Sequence, residues 1–295
     1  MNANRTSLFC DTALAGRIER VEAGLIAACG RAAQVDSAGF VRAIAGGVAC
    51  FAEPGSPFNK VAGLGFGGVP GVADLDGIEQ AFAAHGAAVQ VELAHLADPA
   101  VGVLLTGRGY RLESFENVLG LALDGEYERP MPSGVVVRRS GDDEFERWLE
   151  VVADGVAHPD SQGLPWHEEF PRETYLRAER RLAAAGVGRY AALRDGVLAG
   201  GAGLRVAEGV AQFAGAATLP AHRRRGVQSA LLSTRLADAA EAGCDIAVIT
   251  TQPGSRSQQN AQRQGFDLLY TRAVLVRHGP DGTGWPALSP ARPVG

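Results

Sequence analysis

The segment best suited to chemistry is a short run of basic residues just ahead of a predicted helix. Arg223, Arg224 and Arg225 are followed by Gly226, and an apolar pattern at helical spacing begins at Val227. A helix N-terminus leaves its first backbone N–H groups unpaired, and the helix dipole adds partial positive charge there. Because glycine also lets the backbone approach a ligand closely, this arrangement fits a phosphate-binding site. An ordinary turn with three solvated arginines explains the charge and the glycine equally well.

This segment contains neither the GxxxxGK(S/T) of a P-loop nor the GxGxxG of a dinucleotide-binding turn. Residues 223–228 instead resemble the pyrophosphate-binding signature of the GNAT superfamily of N-acetyltransferases, R/Q-x-x-G-x-G/A. The last place departs from it, because Gln228 stands where the family has Gly or Ala. The order of strand, loop, helix and strand, followed by Asn260 and a Gly-Phe pair, also follows the family. The resemblance covers residues 135–277.

In the GNAT superfamily, coenzyme A lies in a V-shaped gap between two parallel strands that splay apart. The resemblance implies that residues 213–218 and 246–250 form this gap, with acetyl-CoA as the acyl donor and no metal. It assigns strand backbone groups to the pantetheine arm and loop amides to the pyrophosphate. The implied cofactor-binding residues are Ala216, Ala217, Thr218, Arg223, Arg224, Arg225, Gly226, Val227, Gln228, Ser229 and Asn260.

The reaction implied by the resemblance is direct attack of a neutral amine on the thioester, which needs a base and an N–H donor for the oxyanion. Glu169 is the candidate base, with Glu168 and His167 beside it, because the loop that holds them lines the acceptor pocket in similar proteins. An acidic surface turn that begins a helix explains these residues equally well. Many family members carry a tyrosine acid where this chain has Ala261, so Tyr270 is the substitute candidate, although packing is the commoner role of such a strand tyrosine.

The chain has 295 residues of ordinary globular composition, which predicts two domains. Residues 126–134 form a polar linker between a predicted N-terminal domain, 1–125, and a catalytic domain, 135–280, with an irregular tail at 281–295. The order helix, Gly, strand, helix, Gly-aromatic and strand occurs in residues 75–123 and again in 227–277. A duplicated, tandem GNAT-like arrangement follows as a hypothesis.

The predicted fold class is α/β, with two GNAT-like domains that are each a mostly antiparallel twisted sheet flanked by helices. The splayed parallel pair is expected in the C-terminal domain. Periodicity predicts helices at 14–33, 75–85, 98–106, 144–156, 172–185 and 227–242, and strands at 48–51, 61–66, 89–93, 110–123, 135–138, 189–194, 197–204, 210–218 and 245–250, with a last one ending near 277.

Residues 60–65 superficially resemble the same phosphate signature. The next predicted helix begins only near Leu75, which separates the glycines from a helix N-terminus. The N-terminal domain is therefore expected to have lost its cofactor site.

The charge and the cysteine content of the chain limit the kinds of partner that it can have. A net charge of -5 argues against a nucleic-acid partner, and four widely spaced cysteines argue against a metal site and indicate a cytoplasmic protein. The sequence has no apolar run long enough to cross a membrane. The expected partners are an amine acceptor, either a small molecule or a peptide, and a second copy in a homodimer. The alternative function is a non-catalytic acyl-CoA-binding sensor or interaction module.

Overall fold

The computed structural model of the chain describes residues 7–158 and 170–279. Over these residues the α-helices are α1 Thr12–Ala33, α2 Val72–Ala84, α3 Pro99–Gly107, α4 Phe145–Ala157, α5 Arg172–Ala184, α6 Val227–Glu241 and α7 Arg256–Arg263. The strands are β1 Phe40–Ile44, β2 Gly47–Phe51, β3 Lys60–Ala62, β4 Val89–Ala94, β5 Arg111–Ala122, β6 Val135–Arg139, β7 Gly188–Arg194, β8 Val197–Ala207, β9 Val210–Thr218, β10 Ile246–Thr251 and β11 Asp267–Arg277.

Local sequence signals account for several of these boundaries. The Asp98 carboxylate caps α3 by accepting a 2.9 Å hydrogen bond from the Ala100 N–H, with Pro99 at the first helical position. Asp195 and Gly196 both have positive φ, 53° and 79°, as a tight turn between β7 and β8 requires. β1 was not predicted, and β3 is shorter than the predicted strand at 61–66, because the glycine-rich run after Ala62 does not continue it.

All eleven strands form one mixed sheet in the order β1-β2-β3-β4-β11-β5-β10-β9-β8-β7-β6. The prediction of a mixed α/β architecture is confirmed. The exchange at the centre was not predicted: β11, from the C-terminal half, lies between β4 and β5, and β5, from the N-terminal half, lies between β11 and β10. Each half therefore gives its last strand to the other.

Helices cover both faces of the C-terminal part of the sheet. Apolar side chains of α6 pack with β7 to β10 in one cluster. Those of α4 and α5 pack on the other face against β7, β8 and the end of β9. Helix α1 lies beside α5, so the first helix of the chain also borders the C-terminal half.

Across residues 7–158 and 170–279, no helix combines the length and the apolar character that a membrane span requires.

Candidate functional site

Strands β9 and β10 run parallel and then stop pairing. Their register extends from Val210 opposite Ile246 to Phe213 opposite Ile249. Beyond that point β9 continues to Thr218 and β10 to Thr251 without further pairs between them. The splayed parallel pair is confirmed in the C-terminal half, and it opens just after Phe213.

The arginine loop joins the open end of β9 to α6. Arg224 and Gly226 both adopt the left-handed conformation, with φ of 56° and 82°, and Gly226 is the N-cap of α6. The first bond within the helix runs from the Ala230 N–H to the Gly226 carbonyl at 2.9 Å. The amides of residues 227–229 thus have no partner within the helix, and the side chains of Arg224 and Arg225 are exposed beside them. This arrangement fits a bound diphosphate.

Arg223 has a different role from the two arginines after it. Its guanidinium donates to the carbonyls of Thr218 at 3.1 Å and Gly155 at 2.9 Å, and also to that of His158. Its own amide donates to the Pro220 carbonyl at 3.3 Å. Arg223 therefore fixes the loop to the end of β9 and to the C-terminus of α4, and it positions the site through its neighbours.

The polar segment between the two halves packs on this loop. A Cβ built on Gly226 would lie 2.4 Å from Cγ of Pro132. A side chain at this position would therefore collide with Pro132, and the positive φ would strain it as well. The segment that the sequence analysis described as a linker is thus part of the wall of the site.

Other residues predicted for the cofactor are distributed along the open strands and α7. Ala216 is exposed, whereas Ala217 is buried against α4. The hydroxyls of Thr218 on β9 and Thr251 on β10 are buried and have no hydrogen-bond partner among the described residues, so each can pair with a polar group of a ligand. Asn260 lies within α7. Ser255 is the N-cap of this helix, so Asn260 does not cap it.

A β-bulge interrupts β9 where the strands part. In the register with β8, Ala214 faces Gly203 and Ala216 faces Ala202, which leaves Gly215 without a partner. Gly215 has φ of +36°, and a Cβ built on it would lie 3.2 Å from Oε1 of Glu179.

Glu179 extends from the buried face of α5 and is 8% exposed. Burial raises the pKa of this carboxyl to about 7, against the lowering effect of a hydrogen bond from Tyr175. The sequence analysis missed Glu179. Its signal was a glutamate three residues from both Leu176 and Leu182, on the apolar stripe of a predicted helix.

Tyr270, one of the two predicted catalytic residues, is not found at the bulge. Tyr270 is buried in the core that α1, α2 and α3 share with the N-terminal strands, and its hydroxyl donates to Oε1 of Glu19 at 2.6 Å. Burial raises the pKa of Tyr270 well above its ordinary value, so this phenol is a poor proton donor. Glu169 lies outside the described residues, as do Glu168 and His167.

The corresponding place in the N-terminal half is built differently. Residues 63–68 read G-x-G-x-x-G, but α2 begins only at Val72. The Gly65 carbonyl accepts a 3.0 Å hydrogen bond from the Asp98 N–H, and a Cβ on Gly65 would lie 2.6 Å from that of Ala97. The segment after β3 thus packs directly on the segment after β4 at Gly65 and Ala97, beside a cavity of about 540 Å³ that Phe66 and Pro99 also line.

No cluster of histidine, cysteine, aspartate or glutamate in the described parts of the chain has the composition of a metal site.

Comparisons with known proteins agree with this geometry. The profile of the acetyltransferase (GNAT) family matches residues 156–266. A search of curated protein sequences finds no match.

Solved structures share the fold of nearly the whole chain. A GCN5-related N-acetyltransferase from Kribbella flavida is 23% identical with a TM-score of 0.61, over 87% of this chain and 96% of that one. Another, from Sphaerobacter thermophilus, is 18% identical with a TM-score of 0.54, over 91% and 94%. A tandem GNAT protein from the clavulanic acid biosynthesis pathway is 14% identical with a TM-score of 0.53, over 78% and 74%. Residues 156–266 are thus similar to the acetyltransferase (GNAT) family, and the chain shares the fold of the GCN5-related N-acetyltransferases.

Proposed function

We propose that this protein transfers an acyl group from an acyl-CoA, with acetyl-CoA as the donor, to a primary amine. The observation that carries the proposal is the gap that opens between β9 and β10 after Phe213, directly beside the N-terminus of α6. An extended pantetheine chain can use the unpaired strand edges as an added strand would. The diphosphate then reaches the free amides of residues 227–229.

Charge supports the same orientation of the donor. The chain as a whole is acidic, yet Arg224 and Arg225 are exposed at the helix N-terminus. Arginine, amide N–H groups and the helix dipole all favour a bound phosphate. Gln228 replaces the small residue of the family signature, and it lies half-buried in the first turn of α6.

The chemistry needs no covalent intermediate on the protein. A neutral amine attacks the thioester carbon, the carbon–sulfur bond breaks, and the amide and coenzyme A leave as products. Backbone N–H groups at the bulge of β9 are the candidate donors for the oxyanion. The amine must lose a proton, so a base is required beside the bulge.

The experiment is calorimetric titration of acetyl-CoA into the wild type, Arg225→Glu and Arg111→Glu. Arg225 is exposed on the loop, whereas Arg111 is exposed at the start of β5, so both variants make the same change of charge. Loss of at least about tenfold in affinity, about 1.4 kcal/mol, is expected for Arg225→Glu alone. Gly226→Glu is a poorer choice, because its side chain would also displace Pro132.

Transfer is then measured as thiol release with primary amines. Binding of acetyl-CoA at the loop together with amine-dependent thiol release would support the transferase. Binding without turnover towards any amine would favour the alternative, a non-catalytic acyl-CoA sensor. The absence of binding to the wild type would contradict both.

A further inference from the structure

The bulge of β9 lies at the vertex of the gap and is accessible. Phe213 is the last residue of β9 that pairs with β10, and Gly215 follows two residues later. Gly215 and Ala216 are both exposed, although the residues on either side of them are buried or half-buried. A thioester held in the gap would therefore present its carbonyl next to Gly215.

The bulge is held from both faces of the sheet. On one face, Nη1 of the buried Arg235 donates to the carbonyl of Gly203 at 2.8 Å, opposite Ala214. On the other face, Oε1 of Glu179 points at Gly215. The face that bears Glu179 is the one covered by α4, α5 and α1, whereas the arginine loop leads into α6 on the opposite face. Glu179 and the phosphate-binding amides thus approach the gap from opposite sides of the sheet.

Glu179 differs from the other buried glutamates because no cation binds it among the described residues. Glu19 is bonded to Arg272, and Glu92 to Lys60, which together with Arg272 lowers the pKa of Glu92. Glu179 has the Tyr175 hydroxyl as its partner instead. A cation nearby favours the ionised form of a carboxylate, although burial still raises the pKa of Glu19 beside Arg272. Glu179 has no such cation in the described parts of the chain, and it faces the gap rather than the N-terminal core.

The charged groups around Glu179 are paired with one another. Arg205 of β8 donates to Oε1 of Gln212 at 2.7 Å, and Nε2 of Gln212 donates to Glu22 of α1 at 2.9 Å. Cys29, also on α1, is a further titratable neighbour, and burial raises the pKa of its thiol to about 12. Burial likewise raises the pKa of the Tyr175 phenol well above its ordinary value, so a change between pH 6 and pH 8 at this place is assigned to Glu179.

From this placement, and resting on the proposed acyl transfer, we infer that Glu179 is the base that takes the proton from the attacking amine. The acceptor then enters from the face of the sheet covered by α5, opposite the arginine loop.

The step balances without a further reactant. The nitrogen lone pair forms a bond to the thioester carbon, and an N–H proton passes to Oε1 of Glu179. The carbon–sulfur bond breaks, and its electron pair leaves with the coenzyme A sulfur. The proton then passes from Glu179 through solvent to that thiolate, which restores the carboxylate.

The test compares the wild type with Glu179→Gln, and with Glu173→Gln as a control on the exposed side of the same helix. Acetyl-CoA affinity is measured by calorimetry, and kcat/KM by thiol release from pH 5.5 to 9 with ethylamine, glycinamide and spermidine. Hydrolysis of acetyl-CoA is also measured in the absence of amine, because water can then attack the thioester in place of the acceptor. Urea titrations check that each variant is folded.

For Glu179→Gln we expect unchanged acetyl-CoA affinity, a fall of about 100-fold or more in kcat/KM, and loss of the rise in rate between pH 6 and pH 8. Formate should partly restore the rate of Glu179→Ala, because it supplies a carboxylate to the vacated space. Normal acetyl-CoA binding with a wild-type rate and pH profile in Glu179→Gln would overturn this role alone. Failure of the wild type to bind acetyl-CoA would instead contradict the proposed function.

Discussion

The Tyr270 hydroxyl, on the last strand of the chain, donates a 2.6 Å hydrogen bond to the carboxylate of Glu19, on the first helix. Nε of Arg272 reaches the same carboxylate at 2.7 Å. All three side chains are almost completely buried. The strand that enters the N-terminal half is thus held there by a satisfied polar cluster as well as by its ladder of backbone hydrogen bonds.

Replacing Tyr270 by Phe should therefore weaken folding and leave catalysis intact. Glu19 loses one of its donors in the core, which should cost about 1–3 kcal/mol in urea unfolding. Tyr110→Phe is the control, because its hydroxyl lies 3.3 Å from a Glu79 that Arg108 already binds. A large loss of kcat in a folded Tyr270→Phe variant would instead support Tyr270 as the general acid of the reaction.

The pKa of Glu179 predicts a specific dependence of stability on pH. The pKa is raised in the folded protein from 4.5 to about 7, so the folded state binds the proton more tightly than the unfolded state. The contribution of Glu179 to the free energy of unfolding is fully present below pH 4.5 and is lost as the pH rises through about 7. Relative to the wild type, Glu179→Gln should gain about 3 kcal/mol in the free energy of unfolding between pH 5 and pH 8. Urea titrations at the two pH values measure this gain, and Glu173→Gln should show none.

Replacing Gly215 by Ala should slow transfer for a reason other than strain. The new methyl group would lie 3.2 Å from Oε1 of Glu179 and would displace the carboxylate. Gly196→Ala is a matched control, because it places alanine at φ of +79° with nothing within 4 Å. Each variant should lose about 1–2 kcal/mol of stability, but only Gly215→Ala should lower kcat/KM. Equal rates in the two variants would contradict the position assigned to Glu179.

The adjacent arginines should behave differently when each is replaced by alanine. Arg223→Ala removes the bonds that join the loop to β9 and α4, which should cost about 2 kcal/mol of stability. Arg225→Ala should change stability by less than about 0.5 kcal/mol, because the side chain is exposed, while acetyl-CoA affinity falls. Thermal unfolding with and without acetyl-CoA measures both effects. The assignment fails if Arg225→Ala destabilises the protein as much as Arg223→Ala does.

Local patterns predicted most of the helices and strands, and they also located the loop before α6. They succeed there because glycine, proline and cap residues act within a few positions along the chain, as at Asp98 and Gly226. The type of residue could not reveal that Arg223 binds carbonyls of α4 and β9, whereas Arg225 extends outwards. That division depends on where the end of α4 lies in the folded protein.

Glu179 and the central strand exchange lay beyond local patterns for a related reason. A glutamate on a helix is most often a solvated residue, and only the packing of α5 on β9 and α1 makes Glu179 a buried base. Likewise, the residues of β5 and β11 predict strands but not the strands with which they pair. Their partners are chosen by contacts between residues far apart in sequence, which no window of neighbouring residues contains.

The central exchange also constrains the order in which the protein can be made. β5 pairs only with strands of the C-terminal half, so it has no partner while the ribosome is still completing the first half of the chain. The open side of β4 likewise stays unpaired until β11, which follows much later in the chain, has been synthesised. Such unpaired edges are sites of aggregation, so a chain that stalls before Asp267 should need a chaperone or be degraded. Co-expressed fragments cut within residues 124–134 should be soluble together and aggregate apart.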